Sequence, residues 1–231
     1  MKPENKKLLT EGARANGFSL NSRQLKQFTD YLEVLDLWAR KMNLTAIRDE
    51  RNRVALLLID SLAAAAAVKA RAEEDPARTL RVMDLGSGAG VPGIPVKIAL
   101  PAVEMTLCEA RQKRVLFLKE AIRKLGLSGI WVHHGRAEEL TPEAGPGTGP
   151  FEVVMSRAVG PLSELAGLCR EITAERGLII AMKGPDPEPE LEESRDLIDR
   201  AGFRLEAVKR YELYKLGVLR SLVMMRKKSL D

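Results

Sequence analysis

The run Arg81-Val82-Met83-Asp84-Leu85-Gly86-Ser87-Gly88-Ala89-Gly90-Val91-Pro92-Gly93 reads as a buried strand that ends in an acid and opens into a glycine-rich turn. Val82, Met83 and Leu85 supply the apolar strand. Gly86, Gly88 and Gly90 let the backbone turn tightly and let a ligand approach without meeting a Cβ. Asp84 falls at the carboxyl end of the strand, where open α/β sheets bind their ligands. The plainer reading is a glycine turn that merely ends a strand.

Two cofactor classes use such a turn. A dinucleotide site has the spacing G-x-G-x-x-G and rests a pyrophosphate on the next helix N-terminus. The spacing here is G-x-G-x-G, and an acid beside the turn repels a pyrophosphate. S-adenosylmethionine has no phosphate and carries an ammonium and a sulfonium, so spacing and Asp84 both favour it. A second strand, Val103 to Cys108, ends at Glu109, 23 residues after Gly86. An acid at that place is positioned to accept hydrogen bonds from ribose hydroxyls, which indicates a nucleoside without choosing between the two. A third strand, Ile130 to His134, leads into Gly135-Arg136-Ala137-Glu138-Glu139, with Glu138 near an adenine amine.

Working outward, helices are expected at 4–16, 21–41 and 52–72. The stripe Phe28, Tyr31, Leu32, Leu35, Trp38 and Met42 is read as core packing. From residue 80 strands and helices alternate: strands 80–85, 103–109, 130–134, 151–156 and 177–182, with helices 92–100, 111–126 and 161–173. A Pro/Gly loop is expected over 141–150, then a helix at 190–201 and two closing strands, 203–211 and 217–226, close enough for an antiparallel hairpin. This predicts an α/β fold, a mostly parallel seven-stranded sheet with the last strand antiparallel. Residues 1–78 form an N-terminal helical extension and 79–231 the cofactor domain, packed as one unit.

Composition sets the limits. The 231 residues are 45% hydrophobic with a net charge of +5, a mild excess that admits a nucleic-acid partner without requiring one. Two cysteines make no disulfide framework, so Cys108 and Cys169 are expected as buried thiols in a reducing cytoplasm. No apolar run is long enough to span a bilayer. His133 and His134, the only histidines, face opposite sides of a strand, so no histidine-based metal site is expected.

The chain resembles the bacterial small-subunit ribosomal RNA methyltransferases also called glucose-inhibited division protein B, or RsmG. The resemblance rests on an ordered series: Asn43-Leu44-Thr45 with Arg48-Asp49, Asp60-Ser61-Leu62, Asp84 to Pro95, Arg111 to Leu118, Arg136-Ala137-Glu138-Glu139, Ser156-Arg157-Ala158 and Lys183-Gly184. It implies a class I (Rossmann-like) S-adenosylmethionine-dependent methyltransferase acting on N7 of a guanosine in the decoding-region loop of 16S rRNA. By that resemblance Asp84, Gly86, Gly88 and Val91 line the methionine end. Glu109, Ala110 and Arg111 surround the ribose, and Ala137 and Glu138 border the adenine. Arg157, catalytic and cofactor-binding by the resemblance, lies between cofactor and RNA, with Arg136 as a second catalytic position. Arg136, Lys183 and Arg220 are basic positions for holding RNA. The implied partner is 16S rRNA or a small-subunit particle, and the protein is expected to be a monomer.

The chemistry is consistent. N7 of guanine offers a free lone pair, so no general base is needed. The chain lacks an Asn-Pro-Pro-aromatic motif for exocyclic amines and a Pro-Cys pair for a pyrimidine carbon. Arg157 is therefore read as a positioning residue; its plainer alternative is an ion pair with Glu109 or Glu138. Arg111, Lys113 and Arg114 contact phosphates or form a solvated helix face. Ala39, Leu56 and Leu57 depart from the family pattern, all in the helical extension and expected to lie away from the turn. Two alternatives stand beside this reading: a small-molecule methyltransferase, and a non-catalytic rRNA-binding assembly factor.

Overall fold

The computed structural model describes residues 1–40, 42, 44–136, 139, 150–157 and 159–229. The chain starts with α1 (Pro3–Ala15) and α2 (Ser22–Ala39). In α2 the Asn21 side chain accepts the Gln24 N–H while the Gln24 side chain accepts the Asn21 N–H, a reciprocal cap that fixes where the helix begins. The apolar stripe of α2 faces inward, with Phe28, Tyr31 and Leu35 fully buried.

The helix expected at 52–72 is longer and in three parts. It comprises α3 (Glu50–Arg53), a π-helical turn (Val54–Ile59) and α4 (Asp60–Glu73). Asp49 caps its start by accepting the Asn52 N–H at 2.8 Å. Ile59 packs against Gly12 of α1 so closely that a Cβ there would lie 2.5 Å from Ile59 Cδ1.

The alternating elements follow: β1 (Arg81–Leu85), α5 (Gly93–Ala99), β2 (Glu104–Glu109), α6 (Gln112–Leu125), β3 (Ile130–His134), β4 (Phe151–Arg157), α7 (Leu162–Cys169), β5 (Thr173–Lys183), α8 (Glu188–Arg200), β6 (Phe203–Leu213) and β7 (Val218–Lys227). They build one seven-stranded sheet in the order β3-β2-β1-β4-β5-β7-β6. All pairs are parallel except those of β7, which runs antiparallel to both β5 and β6. This is the expected fold. The helix expected at 161–173 stops at Cys169, because β5 begins four residues early: Thr173 pairs with Phe151, and the Phe151 N–H donates to Ile172 O at 2.7 Å. The 141–149 part of the expected Pro/Gly loop lies outside the described residues, as do Asn43 and Ala158.

Strand alternation sorts the core onto the two sheet faces. Val82 joins the apolar cluster made with α1, α2 and α4–α6. Met83 and Leu85 join the opposite cluster with α7 and α8. The first cluster is continuous from Leu8 of α1 to Leu222 of β7, so the N-terminal helices share a core with the sheet. β1 sits between β2 and β4, where the strand order reverses. The sheet therefore opens at its carboxyl edge beside Asp84, the place where such sheets bind ligands.

Candidate active site

The carboxyl edge gathers Asp84 from β1, Glu109 from β2, Arg157 from β4 and Lys183 from β5. The reversed direction of β7 brings Arg220 to the same edge, where it pairs with Tyr211 of β6.

Asp84 is fully buried. Its Oδ2 accepts the Gly93 N–H at 2.9 Å. Its Oδ1 is buried with no hydrogen-bond partner among the described residues. Burial, helped by the charge of Glu109, pushes this carboxyl up to about 7, against the pull of the Gly93 N–H, the Ser87 hydroxyl and the charge of Arg157. Gly93 is glycine for a steric reason: a Cβ there would lie 2.7 Å from Asp84 Oδ2 and run into Leu107.

The turn after Asp84 needs its glycines, with φ of +74° at Gly86, +55° at Gly88 and +81° at Gly90. The N–H groups of Gly86 and Ser87 both donate to Cys108 O at 3.0 Å, pinning the turn to β2. Ser87 Oγ donates to Asp84 O at 2.8 Å. From α2, the Tyr31 hydroxyl donates to Ala89 O at 2.6 Å. Tyr31 is therefore a brace for the turn as well as a core residue. Its apolar stripe concealed this, and the one hint was a phenol that needs a partner when buried.

Glu109 is buried beside the turn. Its Oε2 accepts the Gly88 N–H at 2.9 Å and its Oε1 the Arg111 N–H at 2.8 Å. Arg114 lies 3.6 Å away, so this arginine faces Glu109 and is not simply part of a solvated helix face. Each carboxylate oxygen keeps a further lone pair for a ribose hydroxyl. Ala110 and Arg111 are exposed next to it, and Gly86, Gly88 and Val91 retain exposed surface along the turn. Ala137 and Glu138 lie outside the described residues. Arg136 is exposed, with its N–H bonded to Glu139 Oε2 at 3.1 Å.

Arg157 is placed at the switch point; Glu109 is not its partner among the described residues, and Glu138 lies outside them. Its Nη1 donates to Leu56 O at 2.8 Å and lies 3.7 Å from Asp60 Oδ2. Asp60, only 2% exposed, accepts the Tyr211 hydroxyl on Oδ1 at 2.7 Å. Burial raises the Asp60 carboxyl, opposed by the Tyr211 hydrogen bond and the charges of Arg157 and Arg220. Burial and the Asp60 charge drive the Tyr211 phenol well above its ordinary range. Position 56 was expected to lie away from the turn. It lies one hydrogen bond from Arg157, through its main chain, and the carbonyl belongs to the π-helical turn, a geometry frequent at functional sites. Asp60 and Tyr211 are the residues that the sequence reading did not place in the site.

Lys183 is tied down. Its Nζ donates to Gly160 O at 3.1 Å and pairs with Glu190 at 2.7 Å, which also caps α7 through the Leu162 N–H. Among the described residues Arg220 makes one hydrogen bond, to Leu219 O at 3.2 Å, while its charge also acts on Asp60. Cys108 and Cys169 are buried, and burial pushes the Cys169 thiol far above its ordinary range. Among the described residues no three His, Cys, Asp or Glu side chains are grouped to hold a metal, and no helix is long and apolar enough to cross a membrane.

This arrangement suits a cationic, phosphate-free nucleoside. A buried carboxylate oxygen without a partner calls for a cation or a donor, and a pyrophosphate supplies neither. Comparison with known proteins agrees. Residues 24–216 match the family model described as rRNA small subunit methyltransferase G. The chain belongs to this family. It is 37% identical over 221 residues to ribosomal RNA small subunit methyltransferase G of Staphylococcus carnosus, covering 96% of this chain and 90% of that one. It is 35% identical to the protein of the same name from Thermoanaerobacter pseudethanolicus, covering 98% and 92%. Among solved structures, magnesium protoporphyrin IX methyltransferase from Synechocystis shares the fold, with a TM-score of 0.56 and 14% identity over 91% of this chain and 99% of that one. The Methanococcus jannaschii fibrillarin pre-rRNA processing protein is also similar, with a TM-score of 0.50 and 14% identity over 66% and 68%.

Proposed function

We propose that this chain transfers a methyl group from S-adenosylmethionine to N7 of a guanosine in the decoding-region loop of 16S ribosomal RNA. The observation that carries the reading is the near-complete match to the small-subunit methyltransferase family, joined to an intact edge of Asp84, the three glycines and Glu109. S-adenosylmethionine fits Asp84 Oδ1, which is buried without a hydrogen-bond partner among the described residues, and when bound it supplies an electrophilic methyl group on a sulfonium. Asp84, Gly86, Gly88 and Val91 would hold its methionine end, Glu109, Ala110 and Arg111 its ribose, and Ala137 and Glu138 its adenine.

The protein's own work is alignment. N7 attacks with a free lone pair and loses no proton, so the site needs no general base. Holding nucleophile and methyl in line is a proximity effect. Arg157, with Arg136, orients the guanine edge. The product ring gains positive charge, which a bare guanidinium opposes, so the Asp60 carboxylate at 3.7 Å matters: it offsets the charge that Arg157 presents to the base. Lys183 and Arg220 border the same edge and hold RNA. In this reading residues 1–78 brace the site from one side of residues 79–231, and the protein works as a cytoplasmic monomer on 16S rRNA or a small-subunit particle.

The test is transfer of labelled methyl from S-adenosylmethionine to small-subunit RNA and particles that lack their own methylations. Label in 16S rRNA is the expected result. Cofactor binding with no label in naked RNA, partly assembled or complete particles contradicts the RNA reading in favour of a small-molecule acceptor. Absence of cofactor binding favours a non-catalytic assembly factor.

A further inference from the structure

The amino edge of the sheet, opposite the glycine turn, carries a second charged cleft that the proposed reaction does not use. It has a volume of about 580 Å³ and is lined by Arg71 and Glu74 at the end of α4, Arg176 of β5, Arg204 and Glu206 of β6, and Arg226 of β7. Four arginines thus meet two glutamates.

Three features of the cleft oppose stability. Arg204 and Arg226 stand directly opposite each other across β6 and β7, and like charges in that register repel. Arg176 holds a φ of +55°, a strained conformation for any residue but glycine. Arg71 Nε is buried with no hydrogen-bond partner among the described residues.

The two glutamates resolve this only in part: the Arg226 hydrogen bond and, with it, the charges of Arg204 and Arg71 hold the Glu206 carboxyl low. Glu206 gives both oxygens to Arg226, at 2.5 and 2.7 Å. Glu74 is shared between Arg226 at 3.3 Å and Arg71 at 3.3 Å. Arg204 has no hydrogen bond or ion pair among the described residues, and the Arg176 guanidinium meets only Ser229 Oγ, at 3.1 Å. Arg176 and Arg204 both line the cleft and are left with guanidinium donors to spare among the described residues. A tetrahedral anion with several acceptor oxygens is what such forks bind best.

We infer that this cleft binds phosphate groups of the RNA backbone and gives the substrate a second anchor remote from the reacting centre. The inference rests on the rRNA reading above. RNA is favoured over a lipid surface because the cleft is a recess of about 580 Å³ and the chain belongs to a family named for its action on rRNA. Arg220 and Arg226 lie six residues apart on β7, about 20 Å, which a few nucleotides span.

The test is the double variant Arg176→Gly, Arg204→Gln. Glycine accepts a φ of +55° freely, and Arg204 bonds to nothing among the described residues, so folding is expected to survive. Unchanged S-adenosylmethionine affinity would verify that. Binding of small-subunit rRNA is then measured against salt. Each lost phosphate contact lowers the log–log salt slope by roughly 0.7 to 0.9. The variant is expected to lose about 1.5 from that slope and at least about tenfold in affinity near 50 mM salt. An unchanged slope and affinity, beside a wild type that binds steeply, overturns the cleft proposal alone. Equal RNA binding with phosphatidylserine vesicles retained only by wild type overturns it in favour of a membrane surface. A wild type that binds no RNA overturns the functional reading along with it. The single variant Arg204→Glu, a reversal at one strand position, provides a second test: weaker RNA binding supports the cleft, and unchanged binding overturns it.

Discussion

Replacing Asp84 by asparagine should stabilise the cofactor-free protein while destroying its cofactor site, and the gain should depend on pH in a defined way. Asp84 is fully buried, and one carboxylate oxygen lacks a partner among the described residues. Its carboxyl loses its proton near 7 in the folded chain, against an ordinary 3.8. Between those values the unfolded chain has lost a proton that the folded chain keeps, so stability falls as pH rises through the window and levels off above it. A gap of about three pH units corresponds to roughly 4 kcal/mol at 1.36 kcal/mol per unit. Asp84→Asn keeps an oxygen for the Gly93 N–H and carries no charge. The stability difference, variant minus wild type, should therefore rise from near its acid value at pH 4 by about 1.4 kcal/mol per unit, to a plateau roughly 4 kcal/mol higher above pH 7. Urea unfolding of both proteins from pH 4 to 8 reads this directly, because other titrating groups cancel in the difference. Wild-type affinity for S-adenosylmethionine should climb with pH below 7, by up to about tenfold per unit, and then level, and the variant should lose both affinity and slope. A stability difference that is flat or falls with pH would show that Asp84 does not keep its proton in the folded chain.

Three further outcomes follow from individual contacts. Gly93→Ala should cost about 1–3 kcal/mol in thermal or urea unfolding and abolish cofactor binding, because its Cβ meets Asp84 and Leu107; a stable variant with normal cofactor affinity would contradict the packing. Tyr211→Phe removes the 2.7 Å hydrogen bond to Asp60, an interaction with a charged acceptor worth about 1.5–3 kcal/mol; kcat for RNA methylation should fall at least tenfold with cofactor affinity nearly unchanged, and equal losses in both would point to collapse of the edge instead. Tyr31→Phe frees the Ala89 carbonyl from its brace, so S-adenosylmethionine should bind more weakly in calorimetry while RNA affinity stays constant.

The parts of this molecule that follow from local rules were legible in its sequence. Alternating strands and helices give a parallel sheet, and a G-x-G-x-G turn after a strand-end acid marks its ligand edge, because both depend only on periodicity and on what glycine permits. Asp84 and Glu109 sit at matching strand ends for the same reason. The connections that cross the chain were not legible. Arg157 finds Asp60, 97 residues away in sequence, and Asp60 finds Tyr211 on a strand that the sheet order alone brings near. Nothing in either neighbourhood announces a partner, since an acid in a helix and a tyrosine in a strand are ordinary. The π-helical turn was hidden too, because an apolar run over Val54–Ile59 has the same pattern in α and π geometry. Arg114 read as a phosphate contact or a solvated helix face and Lys183 as an RNA contact, yet each faces a carboxylate supplied by another element.

The most direct measurement maps the methyl group. Small-subunit rRNA that lacks its own methylations is treated with the protein and S-adenosylmethionine, then with the chain-cleavage chemistry specific to N7-methylguanosine. Scission is expected at one guanosine in the decoding-region loop, lost in Arg157→Ala while that variant still binds the cofactor. Label that resists this cleavage, or scission unaffected by Arg157→Ala, would contradict that expectation.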